Sequence, residues 1–200
     1  MDPSGLVKTR ALTGEDLERA LPALAALRIE VFRAFPYLYA GTEDYEQSYL
    51  RDFAKAPDSF IIAAETDDDR IVGCATGSSL TGHHGEFAAP LAKAGYDLAT
   101  TFYFGESVLL PEFRGTGLGH TFFDAREAHA RQRGYQRACF CAVERPADHP
   151  LRPEGYSPLD AFWTKRGYRK LPGISTDFAW PTEPGGPNVQ HPMGYWLREL

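Results

Sequence analysis

The chain of 200 residues contains 43% hydrophobic and 24% charged residues and carries a formal net charge of −6 at pH 7. This length and balance predict one globular domain over residues 1–200 and argue against a disordered chain. The acidic charge argues against nucleic acid as a partner, because phosphate backbones attract basic surfaces.

The start of the chain, its apolar runs and its cysteines indicate a cytoplasmic protein. Residues 1–5 lack the basic start and the apolar core of a signal peptide. No apolar run reaches the roughly 20 residues that cross a bilayer, so we expect no membrane partner. The cysteines number three, and Cys139 and Cys141 are predicted to share one strand, so we expect reduced thiols rather than disulfides or zinc ligands.

The N-terminal part of the chain contains three helical patterns separated by turn residues. Thr13, with Asp16 three residues later, is a capping-box arrangement, which predicts the start of a helix. We expect this helix to end at about Leu21, because Pro22 breaks a helix and suits the first turn of the next one. The other elements predicted before residue 80 are strands over residues 6–12, 59–65 and 70–79 and a helix over residues 44–54.

The second predicted helix carries one apolar stripe and leads into an aromatic loop. Its stripe residues recur at spacings of three and four, which is typical of a buried helix face: Leu24, Leu27, Arg28, Val31, Phe32 and Phe35. Pro36 ends the helix. The loop that follows contains Tyr37 and Tyr39.

Residues 80–100 interrupt the regular pattern with a glycine-flanked pair of histidines and a short helical pattern over residues 87–94. A segment of this length between strands is often functional. His83 and His84 have no third ligand at a spacing typical of a metal site. We therefore interpret them as loop residues and expect no metal.

The most informative segment is a predicted strand over residues 101–110 that ends at Pro111, turns through three glycines and enters a helix over residues 117–133. Such a turn leaves backbone N–H groups unpaired at the positive end of a helix dipole, which is a site for phosphate. The remaining predicted elements are strands over residues 137–143, 168–180 and 193–199, a proline-rich loop over residues 144–158 and a helix over residues 159–166.

Three kinds of glycine-rich phosphate loop compete for this segment. A P-loop needs Lys and then Ser or Thr after its last glycine, but His120 follows here. A dinucleotide loop needs glycine at position 120 or 122, where His120 and Phe122 stand. The pattern that remains is R-x-x-G-x-G, formed by Arg114, Gly117 and Gly119. An ordinary strand–turn–helix connection also explains the glycines, but the long apolar strand and the matching helix favour a phosphate site.

This pattern resembles the acyl-CoA loop of the GCN5-related N-acetyltransferase (GNAT) family. The segment 161–168, AFWTKRGY, is similar to the family's A-x-F-Y-x-x-x-G-[FY] helix, and the order of the predicted elements also matches. The resemblance implies an α+β fold in three layers, with a mixed, mostly antiparallel sheet of about seven strands flanked by helices. It implies transfer of an acetyl group from acetyl-CoA, without a metal, to a primary amine of a small molecule or protein, and a homodimer is common in the family.

The resemblance also implies which residues bind acetyl-CoA. In the family, the glycine turn holds the pyrophosphate, and a backbone N–H at the end of the preceding strand, here near Leu109 or Leu110, donates to the thioester carbonyl. Arg114 adds a charge within reach of a phosphate. The expected cofactor-binding residues are Val108, Leu109, Leu110, Arg114, Gly115, Thr116, Gly117, Leu118, Gly119, Phe162 and Trp163.

Acetylation of an amine requires a base, because at pH 7 only about one lysine-like amine in 10³–10⁴ is neutral. Glu106 lies on the strand before the glycine turn, with Phe104 and Val108 as expected neighbours on the same face. Apolar neighbours raise the pKa of a carboxyl group towards the range that a base needs. Family members often carry a glutamate on this strand, so we predict Glu106 as the base. A solvent-facing glutamate is the alternative.

The chain departs from the family at the general acid. Trp163 stands where the family usually has a tyrosine that protonates the leaving thiolate, and an indole does not supply that proton at neutral pH. Tyr156 is the nearest alternative in the sequence and is our candidate. A packed loop tyrosine explains it equally well, and solvent suffices for a thiolate with a pKa of about 8.5.

The acceptor side of the site is predicted from its aromatic residues. Phe32, Phe35, Tyr37 and Tyr39 are expected to line the substrate site, because aromatic faces suit cationic or hydrophobic amines. Core packing explains Phe32 and Phe35 equally well. Two further functions stay open, a non-catalytic acyl-CoA-binding or regulatory module and O-acyl transfer. The presence of a carboxylate at Glu106 argues against the module.

Overall fold

The structure is a computed structural model that describes residues 7–83 and 85–200. Its strands are β1 (Lys8–Ala11), β2 (Phe60–Glu65), β3 (Ile71–Ser79), β4 (Thr101–Leu109), β5 (Arg137–Val143), β6 (Arg169–Pro181) and β7 (Asn188–Glu199). Its helices are α1 (Gly14–Arg33), α2 (Glu43–Ala54), α3 (Leu80–His83), α4 (Gly85–Lys93), α5 (Leu118–Gln132) and α6 (Asp160–Lys165). These bounds agree closely with most of the predicted elements.

The seven strands form one sheet in the order β1-β2-β3-β4-β5-β7-β6. The pair β4–β5 is parallel and the other five pairs are antiparallel. The predicted fold, a mixed and mostly antiparallel sheet of about seven strands flanked by helices, is confirmed.

Helices cover both faces of this sheet, and the side chains of β4 show which helix lies on which face. Phe104 contacts Phe123 of α5, with ring centroids 5.6 Å apart. The preceding residue, Tyr103, instead stacks on Phe87 of α4 at 5.2 Å. Neighbouring strand residues point to opposite faces, so α4 and α5 lie on opposite sides of the sheet. Helix α1 lies on the side of α4, because its Phe32 packs against the same apolar cluster.

Helix α1 is continuous from Gly14 to Arg33, so the predicted break at Pro22 is wrong. A proline inside a helix removes one backbone hydrogen bond and crowds the preceding turn. Leu21 and Leu24, on either side of Pro22, are fully buried. Burial of this unbroken apolar stripe stabilises the helix more than the proline destabilises it, because helices in proteins depend mainly on tertiary packing.

The capping box predicted at Thr13 does not form. Thr13 is the N-cap residue, but its side chain makes no cap hydrogen bond. Asp16, the expected reciprocal partner, forms ion pairs with Arg10 and Arg19 instead. Of the two adjacent histidines, His83 ends the short helix α3 rather than lying in a loop, and His84 lies outside the described residues.

The centre of the sheet contains a gap that positions the site. Strands β4 and β5 pair only from Thr101 to Tyr103, opposite Arg137 to Cys139. Beyond these pairs the two strands diverge, although β4 continues for six more residues and β5 for four. The divergence leaves one backbone edge of β4 without a strand partner, and side chains from α5 and from the loop over residues 144–159 approach the opening.

Candidate active site

A cavity of about 1200 Å³ occupies the gap between β4 and β5. Seven of the predicted cofactor-binding residues line it: Leu109, Arg114, Gly115, Gly117, Gly119, Phe162 and Trp163. The remaining four are Val108, Leu110, Thr116 and Leu118. Val108, Leu110 and Leu118 pack their side chains into the core, and the hydroxyl of Thr116 donates to the carbonyl of Phe113 at 2.7 Å. These four side chains contact the protein itself rather than the cavity, so any contact with a cofactor would come from their backbone.

The glycine turn has the geometry of an anion cradle. Gly115 and Gly117 adopt φ angles of 78° and 94°, a region that side chains other than glycine rarely enter. Among the described residues, no backbone carbonyl accepts from the N–H groups of residues 115–119. These free donors lie at the start of α5, where the helix dipole also favours negative charge. The turn therefore fits the diphosphate of an acyl-CoA.

The backbone at the end of β4 distinguishes Leu109 from Leu110. The N–H of Leu110 donates to the carbonyl of Val72 in the neighbouring strand at 3.0 Å, so of the two alternatives Leu109 is the candidate donor to a ligand. Backbone groups of successive strand residues point to opposite edges. The N–H of Leu109 therefore points to the open edge of β4. The carbonyl of Leu109 also lies on that edge, where it accepts from Arg114 Nε at 3.3 Å.

A β-bulge interrupts β4 at Glu106. Residues 105 and 106 together oppose the single residue Thr76 of β3. The backbone N–H of Glu106 donates to Thr76 Oγ1 at 3.2 Å. A bulge of this kind shifts the alternation of side chains beyond it and re-aims a residue within the strand.

The bulge turns Glu106 away from α5 and towards α1. Glu106 forms an ion pair with Arg28 of α1, whereas Phe104 packs on Phe123 of α5. The prediction that Phe104 shares the face of Glu106 is wrong, because two-residue spacing does not hold across a bulge. Val108 lies beyond the bulge and packs in the core cluster that contains the buried leucines of α1.

Arg126 of α5 binds the backbone at the bulge between β3 and β4. Its Nη1 donates to the carbonyls of Glu106 and Thr76 at 3.0 and 3.1 Å, and its Nη2 donates to Ser107 Oγ at 2.7 Å. Burial lowers the pKa of Arg126 to about 10, so the guanidinium stays charged at neutral pH. The bulge would otherwise leave these two buried carbonyls without donors, so Arg126 stabilises the backbone that aims Glu106.

A second cavity, of about 370 Å³, lies beside the first on the α1–α2 side of the sheet. Glu106 lines both cavities and so lies where they meet. Three predicted substrate-binding residues line the smaller cavity: Phe32, Tyr37 and Tyr39. The fourth, Phe35, lines the larger cavity instead, where its ring contacts Tyr156 at 4.7 Å.

One cation and two carboxylates form a buried cluster in the smaller cavity. Arg28 pairs with Glu46 and with Glu106, and the hydroxyl of Tyr39 donates to Glu46. The side chains of Arg28, Glu46 and Glu106 are only 7%, 1% and 8% exposed. Burial raises the pKa of Glu106, the charge of Arg28 opposes this increase, and the charge of Glu46 adds to it. The pKa of Arg28 is also raised, because the two carboxylates outweigh the effect of its burial.

The sequence pattern did not identify Arg28 and Glu46 as site residues. Arg28 lies on the apolar stripe of α1, and a charged residue on a buried helix face requires a buried partner of opposite charge. The presence of a charged residue on this apolar stripe was therefore the signal by which the sequence could have indicated Arg28. Glu46 shows no comparable signal, because it follows three residues after Glu43 in an acidic first turn typical of an exposed helix.

The aromatic loop after α1 is held in place by Arg145 and Trp180. Arg145 Nε donates to the carbonyl of Pro36 at 2.7 Å, and its Nη2 donates to that of Tyr37 at 3.1 Å. Trp180 Nε1 also donates to Tyr37 at 3.0 Å. Burial and the neighbouring Arg145 lower the pKa of His191, whose Nδ1 lies 3.0 Å from Arg145 Nη1. A neutral His191 can therefore accept a hydrogen bond from Arg145 Nη1. This bond helps to hold Arg145 where it binds the carbonyls of Pro36 and Tyr37.

Tyr156 and Trp163 both line the larger cavity. Burial raises the pKa of Tyr156, although the nearby Arg152 opposes the increase, so its hydroxyl is protonated at neutral pH. Trp163 packs against Phe140 and Trp196, with ring centroids 5.0 and 5.1 Å away. The indole thus forms one wall of the cavity and packs against the apolar cluster that contains Phe140 and Trp196.

The described residues show neither a metal-binding group nor a membrane-crossing helix. No three His, Cys, Asp or Glu side chains of residues 7–81 and 85–200 lie together as a metal ion would require. Within the same ranges, every helix is too short or too polar to cross a bilayer.

Comparison with known proteins shows where the fold occurs. A GCN5-related N-acetyltransferase from Kribbella flavida matches with a TM-score of 0.59 and 16% identity, over 97% of this chain and 98% of that one. The ribosomal-protein-alanine N-acetyltransferase from Brucella melitensis matches with a TM-score of 0.60 and 15% identity, over 96% and 99%. An N-acetyltransferase from Staphylococcus aureus matches with a TM-score of 0.60 and 12% identity, over 96% and 98%. At these identities the likeness shows the fold.

The sequence comparisons establish the family. Curated protein sequences gave no significant match. The family model of the GNAT acetyltransferases, in contrast, matches residues 24–153, which span α1 to the loop after β5 and include the glycine turn and Glu106. The chain therefore belongs to the GNAT acetyltransferase family.

Proposed function

We propose that this protein transfers the acetyl group of acetyl-CoA to a primary amine of a small molecule or protein, by direct attack of the amine on the thioester. The observation that carries the proposal is the position of Glu106. Its carboxylate lies where a large cavity beside a glycine turn meets a smaller aromatic cavity. A base at such a junction is placed to accept a proton from an amine in one cavity, so that the amine can attack a thioester in the other.

The larger cavity would hold the acyl donor. The N–H groups of residues 115–119 and the charge of Arg114 suit the diphosphate, and the open edge of β4 suits the pantetheine arm. Phe162 and Trp163 would pack beside it. When bound, acetyl-CoA supplies an activated acetyl group, whose carbon–sulfur bond is replaced by a carbon–nitrogen bond to the amine.

Glu106 would accept the proton of the substrate ammonium, directly or through a water molecule. Burial raises the pKa of Glu106, which makes it a stronger base than an exposed glutamate. Arg28 holds one carboxylate oxygen, Oε1, and so limits this increase. The ion pair with Arg28 thus favours the ionised carboxylate, which is the form that a base needs before it accepts a proton.

Two further groups complete the proposed mechanism. The N–H of Leu109 faces the open edge of β4 and would donate to the thioester oxygen as negative charge develops there. Tyr156 lines the same cavity with a protonated hydroxyl and would give its proton to the departing thiolate. It would regain a proton, through solvent, from the attacking nitrogen, which loses its second proton as the amide forms. Solvent remains the alternative donor, since a thiol of pKa about 8.5 leaves readily.

We also propose a cytoplasmic location. Cys74, Cys139 and Cys141 are free thiols, as is usual in a reducing compartment. The homodimer stays a prediction that rests on the family resemblance.

Release of free CoA thiol tests the proposal. With acetyl-CoA and a panel of primary amines, we expect thiol release that depends on the amine and yields the N-acetylated product in equal amount, as mass spectrometry would verify. Binding of acetyl-CoA without amine-dependent release would instead identify a non-catalytic acyl-CoA-binding module. Release with alcohols but not amines would identify O-acyl transfer.

Substitution of Gly117 tests the glycine turn. Gly117→Ala would force a side chain into the left-handed region and place a methyl group beside the diphosphate, so we expect KM for acetyl-CoA to rise by about tenfold or more. Gly134→Ala is the matched control, because Gly134 lies at the other end of α5 with φ +83° and open space around it. Both variants should lose similar stability. An equal rise of KM in both would argue against the cradle.

A further inference from the structure

We propose that the acceptor is a small aromatic monoamine, a primary amine that carries an aryl group and no carboxylate, bound in the cavity between α1, α2 and the β6–β7 hairpin. This inference rests on the proposed acetyl transfer and adds the chemical class of the substrate. Three observations support it: the rings that line the cavity, the balance of its charges and its size.

The walls of the smaller cavity are mostly aromatic. The rings that line it are those of Phe32, Tyr37, Tyr39, Tyr45, Tyr49, Phe87, Tyr103, Phe178 and Trp180. Aromatic walls suit both an aryl group, by offset or edge contacts, and an ammonium, by cation–π attraction. Aliphatic walls would bury an alkyl amine equally well, so this many rings in one cavity favours an aryl substrate.

Contacts between the rings and with the backbone hold the lining in a preformed arrangement. Phe178 contacts Phe87 at 5.2 Å and Trp180 at 6.0 Å. The ring of Tyr39 lies against Gly41, where a methyl group would meet it at 2.0 Å. A preformed lining binds a rigid ligand without the entropy loss of ordering mobile side chains.

The charges of the cavity exclude an acidic substrate. Apart from tyrosines and Cys141, the ionisable groups among its described lining residues are Arg28, Glu46 and Glu106. Arg28 is already paired with both carboxylates, so it is not free to bind a third. The ionised cluster carries one excess negative charge, which attracts an ammonium and repels a substrate carboxylate.

The size of the cavity favours a small molecule over a protein segment. Its volume of about 370 Å³ is near the lower end of the range for small-molecule sites. The N–H of Ala40 donates to the carbonyl of Pro181 at 2.8 Å, which ties the loop after α1 to the end of β6. Together with the bond from Trp180 to Tyr37, this contact joins the walls on that side. A groove that binds a polypeptide segment would require the loop after α1 and the end of β6 to be separated from each other.

A matched set of amines tests the substrate class. We expect kcat/KM for phenethylamine to exceed that for phenylalanine, which adds only a carboxylate, by about 100-fold. It should exceed that for n-butylamine, which lacks the ring, by about tenfold. A peptide acetylated at its N-terminus or at lysine as fast as phenethylamine, or phenylalanine used equally well, would overturn the proposal.

Calorimetry without acetyl-CoA separates the substrate class from the proposed function. Phenethylamine that binds more tightly than phenylalanine, with no thiol release from any amine, would support the substrate class and reject acetyl transfer. Thiol release with other amines and no binding of phenethylamine would reject the substrate class alone.

Two substitutions test whether residues of the smaller cavity determine the preference among amines. Glu46→Gln keeps an oxygen for Tyr39 but removes the excess negative charge, so we expect the preference for phenethylamine over phenylalanine to fall by about tenfold. Phe178→Leu should reduce the preference for phenethylamine over n-butylamine. Phe60→Leu, which removes a ring that lines neither cavity, is the control and should preserve both preferences. Unchanged preferences in Glu46→Gln and Phe178→Leu would contradict the assignment.

Discussion

Replacement of Glu106 with glutamine is expected to lower kcat by about 10²–10⁴-fold, the usual contribution of a general base. Glutamine has nearly the same shape and still accepts a hydrogen bond from Arg28, but it does not accept a proton at neutral pH. Binding of acetyl-CoA should change little, because the proposed diphosphate site lies at the start of α5, beyond the end of β4. Pre-steady-state thiol release and calorimetry with acetyl-CoA measure the two effects separately.

Glu127→Gln is the matched control for this experiment. Glu127 is also a buried carboxylate with guanidinium partners, Arg166 and Arg198, but it lies on α5 and lines neither cavity. We expect Glu127→Gln to lose stability while it retains kcat. Full turnover by Glu106→Gln at every pH would reject Glu106 as the base. An equal loss of kcat in both variants would show that Glu106 acts through stability.

Replacement of Arg28 with methionine is expected to move the acidic limb of the pH–rate profile to higher pH. Burial raises the pKa of Glu106 and Arg28 opposes this increase. Without Arg28 the increase is unopposed, and Glu46 remains as a second negative charge nearby. At a given pH, a larger fraction of Glu106 is then protonated and inactive as a base, so activity appears only at higher pH.

The same substitution should destabilise the fold. Removal of one partner from a buried ion cluster leaves uncompensated charge, which costs about 3–5 kcal/mol. Urea unfolding measures this loss, and kcat/KM between about pH 5 and pH 9 locates the limb. Arg28→Lys retains the positive charge and is the control, for which we expect a smaller shift. A limb of Arg28→Met that stays in place or moves to lower pH would contradict the assigned role of Arg28.

Local patterns predicted most elements of the fold. The strand β4, the glycine turn and α5 follow each other directly in the chain, and their apolar periodicity, proline and glycines are sufficient to locate them. The same holds for β5, whose predicted and observed bounds agree at Arg137–Val143. The break at Pro22 was wrong because burial of Leu21 and Leu24 depends on the sheet, which a local pattern does not contain.

In the candidate site too, some residues were predicted from local patterns, and others depended on contacts between distant segments. Residues of the glycine turn were predicted because their φ angles and free N–H groups are properties of the turn itself. The pairing of Arg28 with Glu46 and Glu106 was missed because the three residues lie far apart in the chain. The face of Glu106 was misjudged because the bulge arises from pairing with Thr76, which lies 30 residues away.

The amino-acid sequence by itself determined most of the elements, the glycine turn and the family, because each depends on neighbouring residues whose spacing encodes local geometry. Tertiary structure alone decided that β4 and β5 diverge, that Arg126 binds the backbone at the bulge and that the bulge aims Glu106 into an aromatic cavity. Those features depend on buried charges and hydrogen bonds between distant segments. Such groups are stable only when every partner is present, so the buried cluster of Arg28, Glu46 and Glu106 became visible only in the folded chain.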